Sequence, residues 1–86
     1  DNPARMLGDA CINGNIADVM LVIMHYPACV RWSDDQTGQT ALHIAIDNKH
    51  LEITNILIQQ GADIYDFDFR GVTGMDRARA NGWEMK

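Results

Sequence analysis

GQTALHIAIDNKHLEITNILIQQGADI, residues 38–64, is the stretch that decides the fold, and its framework returns from Gly71 as GVTGMDRARANGW. Gly38 and Gly71 stand 33 residues apart, as do Thr40 and Thr73, Leu42 and Met75, and Ala45 and Ala78. Self-similarity at such a period marks a stacked repeat architecture, in which each unit is too small to bury its own apolar face. Within the stretch, Thr40 precedes an apolar run where a hydroxyl can cap a helix. Leu42, Ala45 and Ile46 fall at i, i+3, i+4 and predict one helix face. Asp47-Asn48-Lys49-His50 reads as a tight turn. Leu51 to Gln60 predicts a second helix with Ile53, Ile56 and Leu57 inward, and Gly61 can end it at positive φ. Ala62 to Gly71 is expected to be an extended, hairpin-like connector.

Working outward, Leu7 to Val19 parallels Leu42 to Thr54 at an offset of 35 residues. Pro3 suits a first helical turn, where its missing N–H is not needed. Ile16 to His25 would be the partner helix, stopped by Pro27, and the loop from Tyr26 to Gly38 is about two residues longer than its counterpart. On the other side, Thr73 to Ala80 predicts a first helix, Gly82 a turn, and Trp83 to Lys86 only the opening of a second. The chain therefore reads as a single domain, residues 1–86, of about two and a half units: roughly 3–34, 35–67 and an incomplete 68–86. With no second helix in the last unit, Ile53, Ile56 and Leu57 are expected to be less covered at that end. The chain opens at Asp1 without an initiator Met, so an excerpt of a longer protein is expected.

These residues resemble the ankyrin-repeat family. Its Thr-Pro-Leu-His-x-Ala box is met by Thr40-Ala41-Leu42-His43-Ile44-Ala45, with Ala41 in place of Pro. Lys49-His50 stands where the family has Gly-His, and Gly61-Ala62-Asp63-Ile64 is close to its Gly-Ala-Asp-Val. The third unit has Thr73-Gly74-Met75-Asp76-Arg77-Ala78, with Asp at the His position. The first unit lacks the box but keeps its spacing at Leu7, Ala10, Gly14 and Asn15. The resemblance implies an all-α solenoid of helix-turn-helix pairs joined by hairpin-like loops. It also implies structural roles for Thr40, Leu42, His43, Gly61, Gly71 and Thr73, with His43 tying its helix to a neighbouring loop and His50 likewise structural.

Composition limits function. A net charge of −5 with only seven Lys and Arg argues against a nucleic-acid backbone as ligand. No apolar run approaches the roughly 18 residues that span a bilayer. Cys11 and Cys29 are too few and too distant for a disulfide scaffold or a zinc site, and suit packing in a reducing compartment, cytoplasmic or nuclear. His43 and His50 lack the i, i+4 spacing of a helical zinc pair, and His25 reads as a helix-terminal group. Asp63, Asp66 and Asp68 are acidic enough to suggest a calcium loop, but Arg70 stands at the third ligand position and Arg77 where Glu belongs. Ser33 and the two cysteines have no base at a meaningful spacing, so no catalytic site, cofactor or metal is expected.

Recognition of another protein, or of another domain of the parent chain, is what remains. The resemblance places partner contacts at loop tips and on the concave face of the first helices: Gln36, Thr37, Gln39, Asp47, Asn48, Gln60, Phe69, Arg70, Val72, Ala80 and Asn81. The alternative is a scaffold role, in which open ends pack against an adjacent, even catalytic, domain or against another copy. Tyr65-Asp66-Phe67-Asp68-Phe69-Arg70 alternates aromatic and charged residues, so an extended loop would put the aromatics on one side and the charges on the other. Tyr65 and Phe67 either pack back onto the adjoining loop or join Phe69 and Arg70 as contacts of the kind enriched at hot spots. Trp32, in the matching earlier loop, has the same two readings.

Overall fold

The computed structural model describes residues 2–83. Five α-helices follow in order: α1 Pro3–Asn13, α2 Ile16–His25, α3 Ala41–Asp47, α4 Leu51–Gln59 and α5 Gly74–Ala80. The expectation of an all-α helix-turn-helix stack holds. Each helix is shorter than the ~12–15 residues that make an isolated helix even marginal in water, so packing must hold them. Local signals set their ends. Asn2 Oδ1 accepts from the Ala4 N–H at 3.0 Å and Asn15 Oδ1 from the Asp18 N–H at 3.1 Å, capping α1 and α2. Thr73 and Asp76 bond reciprocally: the Asp76 N–H to Thr73 Oγ1 at 3.0 Å and the Thr73 N–H to Asp76 Oδ2 at 3.1 Å. The carboxylate at the third unit's His position thus completes a capping box.

Between α1 and α2 the chain turns at Gly14, φ 71°, and the position tolerates no side chain for a second reason. A Cβ there would lie 2.7 Å from Cε1 of His50, whose ring docks over the α1 end and donates from Nε2 to the Ile12 carbonyl at 3.2 Å. The structural reading of His50 therefore has a concrete form: it clips the second unit to the first. The equivalent second-unit turn uses Lys49 at φ 61°, a conformation that a residue with a Cβ adopts at some steric expense.

The connections are two hairpin loops, closed by antiparallel bridges between Ser33 and Thr40 and between Phe67 and Thr73. The Phe69 N–H donates to the Thr37 carbonyl at 2.9 Å, so the hairpins are hydrogen-bonded side by side. The segment from Tyr26 to Gly38 is not all loop: Pro27–Arg31 forms a 3-10 turn that buries Cys29 and Val30. Those two apolar side chains turn a stretch that reads as connector into part of the core.

One continuous core runs through the stack, with α1 on α2 and α3, α3 on α4 and α5, and α2 against α4. Leu7, Leu42, Ile46, Ile53 and Leu57 are its largest fully buried side chains. This corrects the expectation that Ile53 and Leu57 are poorly covered. At 1% and 0% exposure they are among the best-buried residues, because they belong to the continuous core in which α4 meets both α3 and α2. The half-buried side chains of α4 are Ile56 and Ile58. The expected start of a further helix after Trp83 lies outside the described residues.

Candidate partner-binding site

His43 organises the second unit. It is fully buried, Nε2 donates to the Val72 carbonyl at 2.8 Å, and Nδ1 accepts from the Thr40 N–H at 3.2 Å and lies 3.0 Å from Thr40 Oγ1. Because a carbonyl can only accept, the proton sits on Nε2, and Nδ1 is left as the acceptor that Thr40 needs. The imidazole thereby fixes the second hairpin to the start of α3.

Asp68 is the buried charge of that hairpin, with its side chain 2% exposed. Its Oδ1 accepts from the Arg70 N–H at 2.9 Å and the Val72 N–H at 3.0 Å, and its Oδ2 takes Arg77 Nη2 at 3.2 Å. Arg77 Nη1 also reaches Asp47 Oδ2 at 2.6 Å, so one guanidinium joins α5, the hairpin and the end of α3. Arg77 Nε is buried without a partner. The Val72 N–H bond above all, helped by Arg70 and Arg77 and opposed by burial, holds the Asp68 carboxyl below the ordinary carboxylate range. A depressed folded-state value means stabilisation that is fully present above the unfolded value of about 3.9 and lost as pH falls through the folded one. The urea midpoint of the wild type should therefore exceed that of Asp68→Asn by a steady margin above about pH 5 and converge on it from about pH 4 downward. A gap that stays constant to pH 2.5 sinks this account.

The alternation around Asp68 resolves in one direction. Tyr65, Phe67 and Phe69 are 65%, 67% and 70% exposed, so all three face solvent, and Phe69 touches the adjoining hairpin at Gly38. The acids turn inward or sideways: Asp68 into the hairpin, Asp66 to Arg31 Nε at 3.6 Å, and Asp63 Oδ1 to the Tyr65 N–H at 2.8 Å. Each has a local partner of its own. Among the described residues no group of three His, Cys, Asp or Glu side chains is placed to hold a metal ion.

The residues expected to meet a partner are not placed alike. Gln36, Thr37, Phe69 and Arg70 are exposed at the tips of the two hydrogen-bonded hairpins. Phe69 lies across Gly38, where a Cβ would come within 2.5 Å of its ring. A second set has side chains already engaged: Asp47 by Arg77, Asn48 by the Ile44 carbonyl at 2.8 Å, and Asn81 by the Arg77 carbonyl at 2.8 Å. Val72 is half-buried with its carbonyl held by His43, while Ala80 is exposed at the end of α5. Gln60 stands apart at the end of α4, its N–H returning to Ile56 and Leu57.

Gln36 and Gln39 also line a groove of about 680 Å³ between α1, the first hairpin and α3. Trp32, 41% exposed, is on its wall, with Ile12, Ile44, Asp9, Asp34 and Asp35. Position in the repeat gives no hint of Ile12 or Asp9, because the groove exists only when helix and hairpin are brought together. Cys11 and Cys29 are both buried, and burial, with the neighbouring Cys29 adding to it, pushes the Cys11 thiol up to about 12. Such a thiol is a packing group and not a nucleophile. No described helix is long and apolar enough to cross a membrane.

Stacked helix pairs with hairpins projecting to one side define a repeat solenoid of the recognition type. A family model for ankyrin repeats (3 copies) matches residues 3–68, and the chain belongs to the ankyrin-repeat family. Ankyrin repeats are, as a class, non-catalytic modules that bind other proteins. Among curated relatives, "Diacylglycerol kinase iota" of Rattus norvegicus is 32% identical over 78 residues, covering 90% of this chain and 7% of the relative. "Potassium channel AKT1" of Arabidopsis thaliana is 32% identical over 75 residues, 87% of this chain and 8% of the relative. "Probable E3 ubiquitin-protein ligase XBOS33" of Oryza sativa subsp. japonica is 29% identical over 80 residues, 92% of this chain and 15% of the relative. The chain thus spans only a small part of the length of the relatives it matches.

Proposed function

We propose that this chain is a protein-interaction module that binds a partner protein, or another domain of its parent chain, through the paired hairpin tips and the adjoining groove. The observation that carries this reading is the division of labour in the second hairpin. Asp68 and the Val72 carbonyl are spent on holding its shape, while Phe67, Phe69 and Arg70 are left facing solvent. Ordering aromatic side chains outward on a rigid loop exposes apolar area that gains free energy only when covered. The small share of each relative that the chain spans supports a role as one segment of a larger protein, which in those relatives is named as a kinase, a channel or a ubiquitin ligase. A pull-down with Phe69→Ala combined with Arg70→Glu should lose the captured partner while the helical circular dichroism is retained; unchanged capture removes the site.

One observation favours the scaffold reading as a second possibility. Met20, Leu21 and Met24 on α2 are 51%, 53% and 73% exposed, whereas the matching positions of α4 are Asn55, Ile56 and Gln59. This apolar outer face would suit packing against another copy of the chain or an adjacent domain of the parent protein, and the first of these can be tested directly. Light scattering on the same sample used in the pull-down separates the readings: a strict monomer that still captures a partner excludes self-assembly.

A further inference from the structure

Among the many positions at which the first two units differ, one coincides with a groove. The register that matches Leu7 with Leu42 and Ala10 with Ala45 matches Gly8 with His43. His43 fills the angle between α3 and the second hairpin and donates to the Val72 carbonyl. Gly8 puts nothing in the corresponding angle, and the nearest atom to a Cβ built there is Ile44 Cδ1 at 3.6 Å, an ordinary contact distance. Gln39 precedes Thr40 as Val72 precedes Thr73, and both carbonyls accept a hairpin N–H, from Asp34 at 2.8 Å and from Asp68 at 2.9 Å. The Val72 carbonyl has His43 as a second donor; among the described residues the Gln39 carbonyl has none. The groove of about 680 Å³ lies where that histidine is missing, with Gly8 and Gln39 both on its lining.

We propose that this groove receives an arginine side chain carried by an extended segment of the partner protein, an inference that rests on the reading of this side of the stack as the partner surface. The groove's lining includes three acidic residues, Asp9, Asp34 and Asp35, against the single basic Arg5, and Gln39, whose carbonyl has room for a second donor. Asp34 Oδ1 is already bonded to the Gln36 N–H at 2.6 Å, while Asp9 and Asp35 have no ion-pair partner among the described residues. Arg5 on the α1 wall offsets one of the three charges and leaves the groove acidic. A cationic donor complements that acidic excess, and a guanidinium carries five N–H donors in one plane and no acceptor. Trp32 supplies an indole face for that plane, and Ile12 and Ile44 can cover the aliphatic stem. The net charge of −5 draws a cationic segment toward the surface.

The probe is acetyl-Leu-Arg-Leu-amide, titrated into the isotope-labelled chain beside the citrulline peptide, which keeps the shape and loses the charge. The Arg peptide should shift the Gly8 and Gln39 amides and the Trp32 indole N–H, with the citrulline peptide at least about tenfold weaker, the equivalent of one charge-assisted hydrogen bond. Gly8→His should fill the groove and abolish the shifts while the helical signal persists. If Gly8→His fails to fold, Asp35→Asn, an exposed change, should still weaken the Arg peptide severalfold. Equal affinity for the two peptides, or no shift with either, overturns the proposal, as does peptide binding by a folded Gly8→His that matches the wild type. A Gly8→His chain that captures the same partner lost by Phe69→Ala with Arg70→Glu would refute the groove and leave the interaction reading intact.

Discussion

Leu42→Ala is expected to lower the unfolding free energy by about 2–5 kcal/mol, the range for truncating a buried leucine. Leu42 is 1% exposed and belongs to the continuous core. It also touches the third unit: a Cβ at Gly74 would lie 3.2 Å from Leu42 Cδ2 and 3.1 Å from the Ile64 carbonyl oxygen. The gap left by alanine therefore opens between units as well as within one, and it loosens the packing of α5, seven residues long, on α3. Domains of this size have a total stability on the order of 5–15 kcal/mol and shift by about 4–8 °C in Tm per kcal/mol. Thermal circular dichroism should show a fall of more than about 10 °C for Leu42→Ala. A shift below about 3 °C would mean that the stack collapses around the gap and that Leu42 is not the contact that couples the units.

His43→Ala should cost roughly 2–4 kcal/mol, for a different reason. The mutation strands the buried Thr40 N–H, worth about 1–3 kcal/mol when left unpaired, and adds a residual cavity. Its effect should also be local. With the Nε2–Val72 bond gone, the second hairpin loses its tie to α3, although Asp68 still bonds the Val72 N–H. Amide hydrogen exchange at Phe69, which donates to the Thr37 carbonyl, should speed up more than exchange within α4. Uniform acceleration across the chain would show that His43 supports only global stability and does not hold the hairpin.

The legible part of this protein is the part built from local rules repeated at a fixed spacing. Thr40, His43, Gly61 and Thr73 could be read because caps, turns and the histidine box need particular residues at particular offsets, and the helices end close to where those signals stand. The 3-10 turn at Pro27–Arg31 carries no local signal in the sequence, since only its burial of Cys29 and Val30 distinguishes it from a loop. At the hairpin, alternation was visible but its direction was not. Two backbone N–H groups with no other partner draw the Asp68 carboxylate inward, and that sends the neighbouring aromatics outward. The links of Arg77 to Asp47 and Asp68 span 30 and 9 residues and follow no periodic rule.

The 33-residue echo by itself determined the repeat architecture and its helix pairs, because a repeat restates the same local energetics each time, while the structural histidines were implied by the resemblance to the ankyrin family. Only the tertiary structure decided which side chains the stack hides and which it leaves over. It buried Ile53 and Leu57 and turned Phe67 and Phe69 to solvent. It also set Gly8, which stands at the histidine position of the first unit, on the wall of a groove. Burial and cavities are properties of two surfaces meeting, and the residues that meet across this stack are far apart along the chain.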